Sequence, residues 1–179
     1  MALLDDALPH LPRLRRHARL LCGDATRADD LVQDTLERAA RQADRWTPSG
    51  DPAGSLRAWL LTLMHNLYLN QLRTLRPHLH EVYDEALHDR GHEPAPSWQV
   101  RLDLERALAQ LTPAAREVLL LVAVEQLSYE EAAQVLDVPV GTVMSRLARA
   151  RERLRTLMAE PAPAARPAPA AAPTLRIIK

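Results

Sequence analysis

Apolar side chains recur along most of the chain at three- and four-residue spacing, the period of a helix that buries one face. Four helical stretches are expected in the first 75 residues, and this spacing delimits three of them. Leu11, Leu14, Ala18 and Leu21 mark one from about Pro12 to Cys22, stopped by Gly23-Asp24. Leu31, Val32, Thr35, Leu36, Ala39 and Ala43 mark the next, from about Thr26, its expected N-cap, to Arg45. Two Pro and two Gly between Trp46 and Ser55 predict a loop, after which Ser55 caps a helix over Leu56 to Leu75. That helix carries Leu56, Trp59, Leu60, Leu63, Leu67 and Gln71 on its core stripe, with Met64 beside it.

The period fails over residues 76–97, where Pro77, Gly91, Pro94 and Pro96 interrupt the chain, and it resumes from Trp98 to Met158. From Ala159 onward the chain is dominated by Ala and Pro, and alternating Pro prevents a continuing helix. The pattern predicts an all-α protein with two small helical domains, 1–75 and 98–158, joined by a flexible linker (76–97) and followed by a disordered tail (159–179). Composition agrees: 47% of residues are apolar, only five are Gly and none is Phe, which argues against a sandwich or barrel with many tight turns. The single cysteine, Cys22, excludes an intramolecular disulfide and a cysteine-based zinc site. No apolar run is long enough to span a bilayer and no signal-peptide pattern opens the chain, so a soluble, cytoplasmic protein without membrane insertion is expected.

The formal net charge is zero, from 23 basic and 23 acidic residues, yet the charges are segregated. Residues 113–139 hold one Arg and five acids, whereas 140–158 hold five Arg and one acid. The basic stretch follows the strongest local motif in the chain. Ser128 and Glu131 form a capping box that opens a short helix from Tyr129 to Leu136. Asp137-Val138-Pro139 ends it, Gly141-Thr142 opens another, and two helices joined by so tight a turn are a helix-turn-helix. At about 100° per residue, Thr142, Ser145, Arg146, Arg149 and Arg153 share one face of the second helix. Val143, Leu147, Ala150 and Leu154 lie roughly opposite. Guanidinium and hydroxyl groups on a solvent face can bond guanine edges in the major groove or backbone phosphates.

The first module offers a less specific polar face: Thr62, His65, Asn66 and Arg73 share a sector of the Leu56–Leu75 helix, beside the loop that Trp46 and Ser55 bound. Such a face and loop can hold an unstacked base. On an ordinary protein they are solvated.

Taken together, ADDLVQDTLERA (28–39), RAWLLTLMHNLYLNQLR (57–73) and the segment over 104–154 resemble regions 2 and 4 of the extracytoplasmic-function branch of the bacterial sigma-70 family. The resemblance covers most of residues 10–158 and lacks the intervening region 3, as that branch does. It implies a non-enzymatic factor, with no cofactor or metal, that binds the clamp helices and flap of core RNA polymerase and directs it to promoter DNA. By that resemblance Asp29, Asp30, Leu31, Val32, Gln33 and Asp34 match the clamp-binding stretch. Trp46, Ser55, Thr62, His65, Asn66 and Arg73 fall on the part that reads and melts the −10 element. Thr142, Ser145, Arg146 and Arg149, with Arg153 on the same face, fall on the helix that reads the −35 element. An anti-sigma factor that clamps the two modules shut is a further implied partner. The chain departs from the family in having Met64-His65-Asn66 where Ala-Arg-Asn is common, so a titratable side chain replaces a permanent cation. Met144 and Ala148 stand where relatives often carry larger or charged DNA-facing groups.

The residues by themselves also admit a conventional helix-turn-helix regulator that binds an operator without polymerase, its first module serving as sensor or dimerisation unit. A linker metal site at His78, His80, His88 and His92, with Glu81, Asp84 and Asp89 nearby, is a weaker alternative. It lacks HExxH spacing, and a Pro-rich linker fixes ligand geometry poorly.

Overall fold

The structure is a computed structural model that describes residues 2–46, 55–75 and 96–159. The four linker histidines, most of the Trp46–Ser55 loop and the Pro/Ala tail lie outside the described residues. Among these residues the structure is helices joined by short turns, with no strand. The α-helices are α1 (Ala2–Ala7), α2 (Leu11–Cys22), α3 (Ala25–Arg41), α4 (Leu56–Leu75), α5 (Pro96–Ala109), α6 (Pro113–Ala123), α7 (Tyr129–Leu136) and α8 (Val140–Ala159), with 3-10 turns at Leu8–His10 and Ala43–Arg45.

Local chemistry sets the boundaries. Gly23 ends α2 with φ +71°, a conformation that glycine adopts without strain, and its N–H bonds Arg19 O. The cap of α3 is Asp24, not Thr26: its carboxylate accepts from Arg27 N at 2.7 Å while its backbone stays extended. An Asp accepts this bond as well as a Thr does, and it stands next to the glycine that turns the chain. The helix then ends at Arg41, and the expected last turn is a separate 3-10 turn. The capping box opens α7 as expected, with Ser128 Oγ accepting from Glu131 N at 3.1 Å and Glu131 Oε2 accepting from Ser128 N at 2.6 Å. Asp137 closes it in the left-handed region at φ 51°. Ala132 and Ala133 are buried where α7 packs on α8.

The two modules do not stand apart. Leu14, Ala18 and Leu21 of α2, Leu31 and Ala39 of α3, and Leu60 and Met64 of α4 belong to the same apolar cluster as Leu108, Val118, Leu121, Val135, Val143 and Leu147 of the second module. Helix α4 packs on α7 as well as α3, and α2 packs on α6 as well as α3. The reason is a second stripe on α4. Ala58, Leu61, His65 and Tyr68 are buried although they lie away from the stripe facing α3. Arg57 at the edge of this face and His65 within it bond Glu125 O and the Glu117 carboxylate of the second module. A helix apolar on most of its circumference must be covered on most of it.

Polar groups seal this contact. His65 Nδ1 donates to Glu117 Oε1, both buried. The buried Arg116 guanidinium of α6 donates to Leu108 O (2.8 Å), Ala109 O (2.7 Å) and Leu111 O (3.4 Å) at the end of α5, and to Leu21 O (2.8 Å) at the end of α2. Those carbonyls include orphans at helix C-termini, where partial negative charge accumulates. One cation thus satisfies acceptors from both modules. Cys22, half-buried, and Tyr68 lie close to the same guanidinium. Burial pushes the Cys22 thiol up despite the opposing pull of Arg27 and Arg116, and burial raises the Tyr68 hydroxyl to about 12.

Candidate nucleic-acid interface

The face of α8 opposite its buried row of Val143, Leu147 and Ala150 is open to solvent. Ser145, Arg149 and Arg153 are exposed, and Thr142 and Arg146 are half-buried at its margin. Ser145 Oγ donates to Thr142 O at 3.1 Å and Arg149 Nε to Ser145 O at 3.3 Å, bonds within the helix that hold the two side chains against its surface. Among the described residues no carboxylate pairs with Arg146, Arg149 or Arg153. Arg155, on another face, is paired with Glu152. Met144 is 52% exposed, on the side of the helix toward Arg155 and away from the polar row. The helix-turn-helix therefore presents guanidinium and hydroxyl groups on a rigid element, and contact with the first module leaves them free.

In the first module the six residues expected near a base divide into different environments. Asn66 is exposed, and Arg73 is exposed with Nη1 donating to Asn70 Oδ1 at 3.3 Å. Thr62 is half-buried and donates to Ala58 O of its own helix at 3.0 Å. Ser55 caps α4, its Oγ accepting from Ala58 N at 3.2 Å. Trp46 is half-buried against the core, and among the described residues its buried Nε1 has no hydrogen-bond partner. His65 is a correction to the expected solvent face: the Glu117 contact buries it. The wheel of α4 could not reveal this, because the element covering His65 is 52 residues away in sequence.

The acidic segment of α3 divides similarly. Asp29, Asp30, Gln33 and Asp34 are exposed, with Gln33 Nε2 donating to Glu37 Oε1 at 3.2 Å. Leu31 and Val32 are core residues, so as placed here they cannot belong to a contact surface.

The sequence reading missed the groups that join the modules: Arg116, Glu117 and Glu125 are all buried. Their signal was available. Arg116 and Glu117 are adjacent charges inside the apolar helix REVLLLVAVE, where a charge is buried only if it is paired or bonded. Among the described residues no group of His, Cys, Asp and Glu is arranged to hold a metal, and no helix is long and apolar enough to cross a membrane.

Fold and face together define a helix-turn-helix DNA-binding protein with a second helical module attached. Comparison with known proteins narrows the class. A family described as sigma-70, region 4, matches residues 101–154, and the sigma2 domain of PhyR matches residues 7–65. The ECF RNA polymerase sigma factor EcfG of Rhodopseudomonas palustris is 38% identical over 160 residues, covering 88% of this chain and 85% of that protein. The sigma factor RpoE, solved in complex with the anti-sigma factor NepR from Bartonella quintana, superposes with a TM-score of 0.69 at 32% identity, covering 86% of this chain and 94% of that one. CnrH, solved with the cytosolic domain of CnrY, superposes with a TM-score of 0.62 at 29% identity, covering 88% and 87%. The chain belongs to the extracytoplasmic-function branch of the sigma-70 family.

Proposed function

We propose that this chain is a promoter-specificity subunit: it binds core RNA polymerase and directs it to start sites without catalysing a reaction itself. It acts in the cytoplasm, where the polymerase is. The second module reads the −35 element through Thr142, Ser145, Arg146, Arg149 and Arg153. The first reads and helps to open the −10 element with Asn66, Arg73 and Thr62 beside Trp46, and it meets the polymerase clamp through Asp29, Asp30, Gln33 and Asp34. The observation that carries this reading is the α8 face: a row of guanidiniums without carboxylate partners on a capped helix-turn-helix, in a member of the sigma family. The exposed acids of α3 support the polymerase contact, since they suit a basic partner surface. The relatives solved with NepR and with the cytosolic domain of CnrY support a protein inhibitor of the same kind here.

The test is run-off transcription with core polymerase, with and without this chain, on a promoter selected from genomic fragments. Transcription that requires both components is expected. Arg149→Ala should reduce initiation that depends on the upstream element by roughly tenfold, the size of one lost base contact, while leaving polymerase binding intact. Failure to form any complex with core polymerase overturns the reading. Dimeric operator binding without polymerase would make the chain a conventional regulator.

A further inference from the structure

Glu125 is the second residue past the end of α6, fixed by a turn in which its N–H bonds Leu120 O and the next residue, Gln126, takes φ 57°. Its side chain is only 1% exposed and enters the first module among cationic groups. Arg13 Nε lies 3.9 Å from Glu125 Oε2, and His17 Nδ1 lies 3.5 Å from Glu125 Oε1. Arg57 Nη1 donates to the Glu125 backbone carbonyl at 3.0 Å. His10 stands at the edge of the group: burial, then Arg57 and Arg13, lower its pKa. Burial pushes the Glu125 carboxyl up, but His17, Arg13 and Arg57 more than offset this and hold it below its ordinary value.

The carboxylate matches this pocket in charge and fits it poorly in shape. Glu125 Oε1 and His17 Nδ1 are both buried and face each other at 3.5 Å, too loosely for a well-formed hydrogen bond, and among the described residues neither atom has another partner. A buried carboxylate normally accepts several bonds, and leaving one short is costly. Arg13 and His17 of α2 stand within ion-pair range of the carboxylate without forming a full hydrogen bond to it, and Arg57 of α4 holds only the backbone carbonyl, an arrangement that a larger anion would fill better. A phosphate has four oxygens on a wider tetrahedron and suits guanidinium donors.

We propose that Arg13, His17 and Arg57 form a phosphate site of the first module, which grips the backbone of promoter DNA, and that Glu125 of the second module occupies it as an internal stand-in while the modules are closed. Closure and DNA binding then compete for one set of cations. Arg57 stands two residues beyond Ser55 at the start of α4, so a phosphate held here lies on the module assigned to the −10 element. This rests on the promoter-binding reading above.

The experiment uses the full chain and a fluorescent single-stranded 20-nucleotide DNA of mixed sequence, followed by anisotropy over a range of salt. Glu125→Gln is expected to bind about tenfold more tightly than wild type at low salt, with a salt dependence steeper by about 0.7 for each phosphate gained. Adding Arg13→Gln to Glu125→Gln should abolish the gain. Inorganic phosphate at millimolar concentration should compete only weakly; if it displaces the DNA outright, the site belongs to a free anion and the DNA assignment is overturned. Equal affinity and salt slope for wild type and Glu125→Gln overturn the proposal. So does a gain that survives Arg13→Gln, because the tighter binding then comes from freeing α8. Should Glu125→Gln lose helicity by circular dichroism, Arg13→Glu carries the test, since that side chain is 42% exposed. It should weaken promoter binding by the polymerase complex and lower its salt slope, and no change in either overturns the site. Run-off transcription by wild type separates the two ideas: if it is intact while the variants behave as wild type, only the phosphate site fails.

Discussion

At the scale of single residues, the contact between modules depends on a few buried charges. Arg116 has no carboxylate partner among the described residues and is satisfied by four carbonyls. Arg116→Met keeps much of the volume and leaves those acceptors unbonded. Denaturant unfolding should show a loss of about 3 kcal/mol, the scale of breaking a buried charged network. Glu125 gives the fold an acid sensitivity with a definite sign. Its carboxyl lies below its ordinary 4.5 in the folded chain, so its contribution is full above pH 4.5 and is lost as the pH falls through the lower folded value. Urea midpoints of wild type should therefore drop on acidification below that pH, and Glu125→Gln should flatten that limb. These residues were the least legible in the sequence. A charge inside an apolar helix announces that it has a partner, but the partners of Glu117 and Glu125 come from α4 and α2, far along the chain.

At the scale of elements, reading was easier where the signal is local. The capping box, the turn at Asp137 and the two faces of α8 are each contained within one or two helical turns, and the structure has all three. Helix α1 was not delimited, because six residues hold too little periodicity to stand out. Helix α4 was half-read. Its stripe toward α3 follows a clean helical spacing, whereas Ala58, Leu61, His65 and Tyr68 looked like background until α6 and α7 covered them. Asp137 shows what a local reading can test. A non-glycine residue at φ 51° is strained, so Asp137→Gly should raise stability by about 0.5 kcal/mol. Thermal unfolding would register this as a small upward shift, with the helix-turn-helix unchanged.

At the scale of the whole molecule, the packed arrangement and the proposed task require different shapes. The −10 and −35 elements are, by their names, about 25 base pairs apart, roughly 85 Å along the duplex. A compact body of this chain's size is on the order of 40 Å across. The closed form can present α8 to DNA, but it cannot reach both elements, so engagement by polymerase must draw the modules apart. A label on the exposed Asp30 of α3 and another on the exposed Arg153 of α8 should report a short separation in the free chain, increasing by several tens of ångströms in the polymerase complex. An unchanged separation would mean that the modules never part. The energetic requirement is modest if contacts with polymerase and DNA replace the buried polar links one for one, as competition at Glu125 would allow.

The position of the lone thiol makes such a change observable without engineering. Cys22 lies beside the Arg116 crossing, half-shielded and with its ionisation suppressed by burial. A maleimide should modify it slowly in the resting chain and faster once a binding partner pries the bundles loose. The native protein thus carries its own chemical clock for the transition, read by mass spectrometry from a single alkylated peptide.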